Sequence, residues 1–170
     1  MIEIRNRFTN EVLQIIQAET LIGADLSGAE LVVADIPGAN LAGANLRSAN
    51  LAVADLTGAN LFGADMTGAN LTGANMESAN LSGASLLEAN LTGANLGDAY
   101  LKDCNLERAN LHGANLAGAS LENARLLGAD MTRAYMASTA LQGALYDSKT
   151  RFPEFLLDPK AEGAIWVAID

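Results

Sequence analysis

Large apolar residues recur at every fifth position from Leu26 to Leu141, without one insertion or deletion. Of these 24 central positions, 19 are Leu, four are Met (66, 76, 131 and 136) and one is Ile36. Two residues before each centre stands Ala, replaced only by Cys104 and Thr139. The residue between the two is mostly Asn or Asp. A period of five excludes ordinary elements. Each residue of an α-helix turns by about 100°, so successive centres would be displaced by about 140° and spread round the circumference. Side chains of a straight strand alternate with a period of two, so an odd step sends successive centres to opposite faces. Only a backbone that turns every five residues aims all of them at one axis. One large and one small residue then enter a narrow core from each side.

Counting Leu21 as a further centre, the second residue after each centre is Gly at 14 of 25 places, among them Gly58, Gly63, Gly68 and Gly73. Glycine accepts the positive φ that many tight turns demand. The same position also holds Val33, Val53, Glu88 and Arg108. A β-branched residue at positive φ is a steric outlier, so the sequence predicts that the corners do not share a single turn type.

The repeated Ala-(Asp/Asn)-Leu-x-x unit, in register over residues 21–146, resembles the pentapeptide-repeat family. That resemblance implies an all-β fold, a right-handed quadrilateral parallel β-helix with about 20 residues per coil and about six coils. At the strand spacing of about 4.8 Å such a rod is roughly 30 Å long. Leu26, Leu46, Met66, Leu86, Leu106 and Leu126 are then stacked core positions. Cys104, in place of an inward Ala, is a buried small residue.

The two ends differ in composition. Residues 1–20 carry Ile2, Ile4 and Phe8, a polar break at Thr9-Asn10-Glu11, and then Val12 to Ile16. This predicts an N-terminal cap, either a short hairpin or a helix starting at Asn10. Residues 147–170 hold Phe152, Phe155, Leu156, Leu157, Ile165, Trp166 and Val167, with Pro153 and Pro159 placed to start helical turns. They read as a C-terminal cap of short helical turns. Caps are expected because open coil edges invite edge-to-edge pairing.

The formal net charge is −10. That disfavours nucleic acid as a direct ligand, which needs Lys and Arg for its phosphates, and it favours repulsion from anionic membranes. No stretch approaches the length of about 18 apolar residues that would cross a bilayer. The first residues lack a basic start followed by an apolar run, so no signal peptide is expected. The single Cys104 forms no internal disulfide, and the expected location is the cytoplasm.

Little catalytic chemistry is visible. His112 is the one histidine; it follows a centre, points outward, and has Thr92 and Thr132 as its neighbours one coil away. That column holds no carboxylate to orient a base. The Asn and Asp residues suit local bonding to backbone. Asp35 and Asp55, one coil apart, are too few oxygens for a calcium site. The regular five-residue spacing of the glycines is unlike a phosphate-binding loop, and zinc-ligand spacings do not occur. No cofactor, metal or catalytic residue is therefore assigned. Lys102 with Glu122, and Glu88 with Arg108, should pair across coils at small energetic value.

In the 20-residue coil that the resemblance implies, two outer stripes are apolar: Ile22, Ala42 and Phe62 on one face, and Val32, Val33, Ala52 and Val53 on the opposite one. Exposed apolar patches mark interaction sites. The sequence thus predicts a non-enzymatic structural or protein-interaction module of unknown partner, with contact to the caps, a homodimer through a cap or stripe, or a foreign protein as the occupants of these stripes. The alternative implied by the family is an acidic DNA mimic that binds DNA gyrase or another DNA-binding protein. Residues 21–146 carry 12 acids and five bases, a net of −7, whereas about 18 charges line 30 Å of duplex.

Overall fold

The computed structural model describes residues 1–156 and 158–168. Each Asn/Asp position bridges in parallel to the residue 20 further on, as in Asp25↔Asn45, Asn70↔Asn90 and Asn95↔Asn115. Twenty residues thus make one circuit of four five-residue units. Among the described residues the interval slips to 21 only at Asp130↔Arg151.

One unit, Ala69 to Gly73, shows why this sequence holds this shape. The Ala69 N–H closes the preceding corner on the Met66 carbonyl at 3.0 Å. Asn70 donates back to Ala49 at 2.9 Å, while Leu71 and Gly73 donate forward to Asn90 at 2.7 Å and Thr92 at 2.9 Å. The remaining amide, Thr72, donates to the Asn70 side-chain Oδ1 at 3.2 Å. All five N–H groups are therefore satisfied, which a backbone wound round an apolar core requires. Asn and Asp recur because their side chain is the acceptor for the one amide that no carbonyl reaches.

The corners correct one expectation. Positive φ is found at Gly corners and equally at Val33 (55°), Val53 (58°), Glu88 (59°) and Arg108 (56°). Each corner is closed by a bond from the fourth residue to the first, and only its third residue has positive φ, the signature of a type II turn. One turn type therefore serves the corners of the ladder. Where the corner N–H bonds to the next circuit, as from Val33 to Ala52 at 2.9 Å, the ladder holds even a β-branched residue in this conformation. Such strain costs roughly 1–3 kcal/mol per site.

All 24 centres, from Leu26 to Leu141, are buried. Leu46, Met66, Leu86, Leu106, Leu126 and Cys104 are fully inaccessible, and Leu26 nearly so. Burial of one Leu contributes about 1.5–3 kcal/mol. Among the described residues there is no helix.

Residues 1–20 form an antiparallel hairpin of β1 (Ile2–Asn6) and β2 (Val12–Ile16). The other edge of β1 pairs antiparallel with β3 (Ala34–Asp35). Ile4 is fully buried, and Ile2, Leu13 and Ile16 pack against the core, so the hairpin closes the first circuit. At the opposite end β4 (Leu145–Tyr146) pairs in parallel with β5 (Ile165–Trp166). Between them Leu156 donates to Pro153, and successive i→i−3 bonds from Ala161, Glu162 and Gly163 make a tight turn that includes Pro159. Leu157, which the sequence places in this cap, lies outside the described residues.

Candidate functional site

Because the interior is filled by its own Leu, Met and Ala side chains, chemistry is confined to the outer faces. The first apolar stripe lies on stacked corners: Gly23 donates to Ala42, and Gly43 to Phe62, at 2.9 and 2.8 Å. Ile22 and Phe62 on these corners are exposed, Phe62 by 57%. The second stripe is ten residues, half a circuit, away. Here Val33 donates to Ala52 and Val53 to Thr72. Val32 and Val53 are exposed and Val33 half-buried.

The N-terminal hairpin meets this second stripe at its edge. Arg7 donates its amide to the Val33 carbonyl at 2.9 Å. Its guanidinium lies 5.2 Å from the centre of the Phe8 ring and 3.9 Å from Asp55. Phe8, the residue after Arg7, is itself exposed.

Two carboxylates on the faces are held below the ordinary carboxylate range by their neighbours. The Thr57 hydroxyl, donating at 2.6 Å, lowers the Asp55 pKa, with further help from the Thr57 amide and Arg7. Partial burial alone would raise the Asp65 pKa, but the Thr67 hydroxyl and amide and Arg47 bring it below the ordinary value. Asp35 and Asp55 do bridge, and the cation beside Asp55 is Arg7. Among the described residues no group of three or more metal-binding side chains converges. The expected pairs form: Lys102 lies 4.0 Å from Glu122, and Arg108 2.8 Å from Glu88.

His112 stands one circuit below Thr132, as the 20-residue coil implied by the family resemblance predicts, with Nδ1 at 2.8 Å from the Thr132 Oγ1. The Thr132 hydroxyl proton goes to Asp130 at 2.7 Å, so the imidazole must donate to the hydroxyl. That order is the reverse of nucleophile activation, in which the hydroxyl donates to the imidazole. Cys104 is fully buried, and burial pushes its thiol pKa up, away from the reactive thiolate.

Sequence reasoning missed a groove of about 830 Å³ whose lining includes His112, Arg133, Tyr135 and Phe155. Two signals were present: Arg133 stands at a corner where Gly prevails, and Tyr135 at an Asn/Asp position. Their meeting with Phe155 depends on the path of the C-terminal segment.

Residues 20–52, 39–77, 69–108 and 109–145 match the family described as pentapeptide repeats, in eight copies. The chain has no match among curated proteins. Among solved structures it is similar to the pentapeptide repeat protein Rfr23 from the cyanobacterium Cyanothece 51142, with 36% identity over 69% of this chain and 90% of that one, and a TM-score of 0.51. HetL, a pentapeptide repeat protein involved in heterocyst differentiation regulation in Nostoc sp. strain PCC 7120, is 29% identical over 74% of this chain and 70% of its own, with a TM-score of 0.44. QnrB1, a plasmid-mediated fluoroquinolone resistance protein, is 20% identical over 85% and 80% of the two chains, with a TM-score of 0.42.

Proposed function

The chain belongs to the pentapeptide-repeat family, and on that premise we propose that it is a non-enzymatic protein-interaction module, a right-handed four-sided β-helix of about six coils whose outer faces meet a protein partner. The observation that carries this reading is the contrast between the sealed core and the exposed large apolar side chains on stacked corners, Ile22 with Phe62 and Val32 with Val53. Side chains of this kind cost the free protein solubility and contribute to the stability of its fold only weakly. They are the groups that gain most by being covered.

Mimicry of DNA is less well supported by the charges. Of the 12 acids in residues 21–146, Asp55, Asp65, Glu88, Glu107, Glu122 and Asp130 each have a cation within ion-pair distance. That leaves half of these acids without an ion-pair partner among the described residues, against the roughly 18 charges that duplex DNA carries over 30 Å.

The test is photo-cross-linking in the native host with a probe at Ala42, beside Phe62, followed by the same experiment with Phe62→Ser. The reading expects one predominant protein adduct, either a second copy or a foreign chain, that is lost in the variant while thermal unfolding is unchanged. No adduct, or the same adduct in both, contradicts use of this face. Inhibition of DNA supercoiling by gyrase at low concentration would favour mimicry instead.

A further inference from the structure

The groove of about 830 Å³ lies where residues 152–155 pass over the last full circuit, next to the slip between Asp130 and Arg151. Its volume is in the range of small-molecule sites. Two of its lining residues work against the fold locally. Arg133 occupies a positive-φ corner, φ 59°, where Gly is the unstrained choice. Tyr135 replaces the Asn or Asp whose Oδ1 elsewhere holds the amide two residues on, as Asn115 holds Ala117 at 3.1 Å. Tyr135 is exposed and Arg133 has no ion-pair partner among the described residues, yet both line the same concavity.

The charges there are unspent. Six of the seven arginines lie within ion-pair distance of a carboxylate; Arg133 is the exception among the described residues. Glu154 lines the same groove and likewise has no ion-pair partner among them, so the acid and the base do not neutralise each other. Beside them stand two aromatic side chains, Tyr135 and Phe155, exposed by 60% and 62%. His112 commits Nδ1 to Thr132.

We propose that this groove binds a small zwitterion with an apolar body, the chemistry of a free aromatic amino acid. The carboxylate pairs with Arg133, the ammonium with Glu154, and the ring lies against Tyr135 and Phe155. The site is independent of the apolar corners and of any protein partner they meet.

The test is an NMR titration of the amide resonances with three probes: L-phenylalanine, 3-phenylpropionate, which lacks the ammonium, and phenethylamine, which lacks the carboxylate. L-Phenylalanine should shift the amides of residues 132–135 and Phe155 saturably. Each singly charged analogue should bind about tenfold more weakly, the loss expected for one charge-assisted contact. Arg133→Gly relieves the corner and keeps the fold, so it should retain or raise thermal stability while abolishing the preference over phenethylamine. Glu154→Gln should abolish the preference over 3-phenylpropionate. Absence of a saturable shift, equal affinity for all three probes, or an unchanged preference in Arg133→Gly overturns the proposal.

Discussion

The Val53 amide donates to the Thr72 carbonyl at 2.9 Å while Val53 itself sits at φ 58°. A β-branched residue is held in the left-handed region by a bond between adjacent circuits. The ladder fixes the corner, and the side chain there adapts to it. Replacement by Gly removes a steric cost of about 1–2 kcal/mol, partly offset by the greater freedom of Gly in the unfolded chain. Val53→Gly should therefore stabilise the protein by about 0.5–1 kcal/mol in urea denaturation. A loss of stability would show that packing of the valine outweighs its strain.

Asn95 ties its side chain to both neighbouring circuits, and its Nδ2 also donates to Glu77 at 3.1 Å. Its Oδ1 accepts from the Gly97 amide at 3.1 Å and from Asn115 at 2.9 Å, and its Nδ2 donates to Asn75 at 3.0 Å. Asn95→Ala leaves the Gly97 amide and two neighbouring amides short of partners, at a cost of roughly 1–3 kcal/mol. Chemical denaturation measures this, and a neutral substitution would contradict the role assigned to the Asn/Asp position.

Asp147 is the one buried charged residue among those described. Its Oδ1 accepts from the Gly128, Lys149 and Thr150 amides at 2.9, 3.1 and 2.9 Å and from the Thr150 hydroxyl at 2.8 Å. Burial raises its pKa, but these bonds, from Gly128 first, outweigh that and leave it below the ordinary value. A carboxyl with a lower pKa folded than unfolded stabilises above its unfolded pKa of about 3.9, and that contribution fades as pH falls through the folded value. The difference in stability between wild type and Asp147→Ala should be largest near neutrality and narrow in acid. A constant difference from neutral pH to below pH 3, followed by thermal unfolding, would contradict this.

Much of this structure was legible in the chain. The five-residue step placed Leu26 to Leu141 inside and Ile22, Phe62 and His112 outside, and it aligned Glu88 with Arg108. The inward and outward placements follow from periodicity, and the alignment of Glu88 with Arg108 from the 20-residue coil that the family resemblance implies, because a strict repeat turns sequence separation into spatial position. The turn at Val33 and Val53 was misread because local steric preference was weighed without the ladder bond that overrides it. The groove was illegible for another reason. Arg133 and Phe155 meet only because the chain slips from 20 to 21 residues at Arg151 and then leaves the ladder, and no repeat governs that path.

The 20-residue circuit is the relation on which every other statement depends, and a pair of engineered cysteines tests it directly. Thr72 and Thr92 occupy equivalent corners one circuit apart, with Gly73 donating to the Thr92 carbonyl at 2.9 Å. Their Cα atoms should therefore lie about 4.8 Å apart, within disulfide range. Ser82, half a circuit from Thr72, is on the far side of the core. Oxidation of Thr72→Cys/Thr92→Cys should give an intramolecular disulfide, and Thr72→Cys/Ser82→Cys should remain reduced, both read by mass spectrometry of the monomer. Bridging of 72 to 82 in preference to 92 would contradict the fold and the surface derived from it.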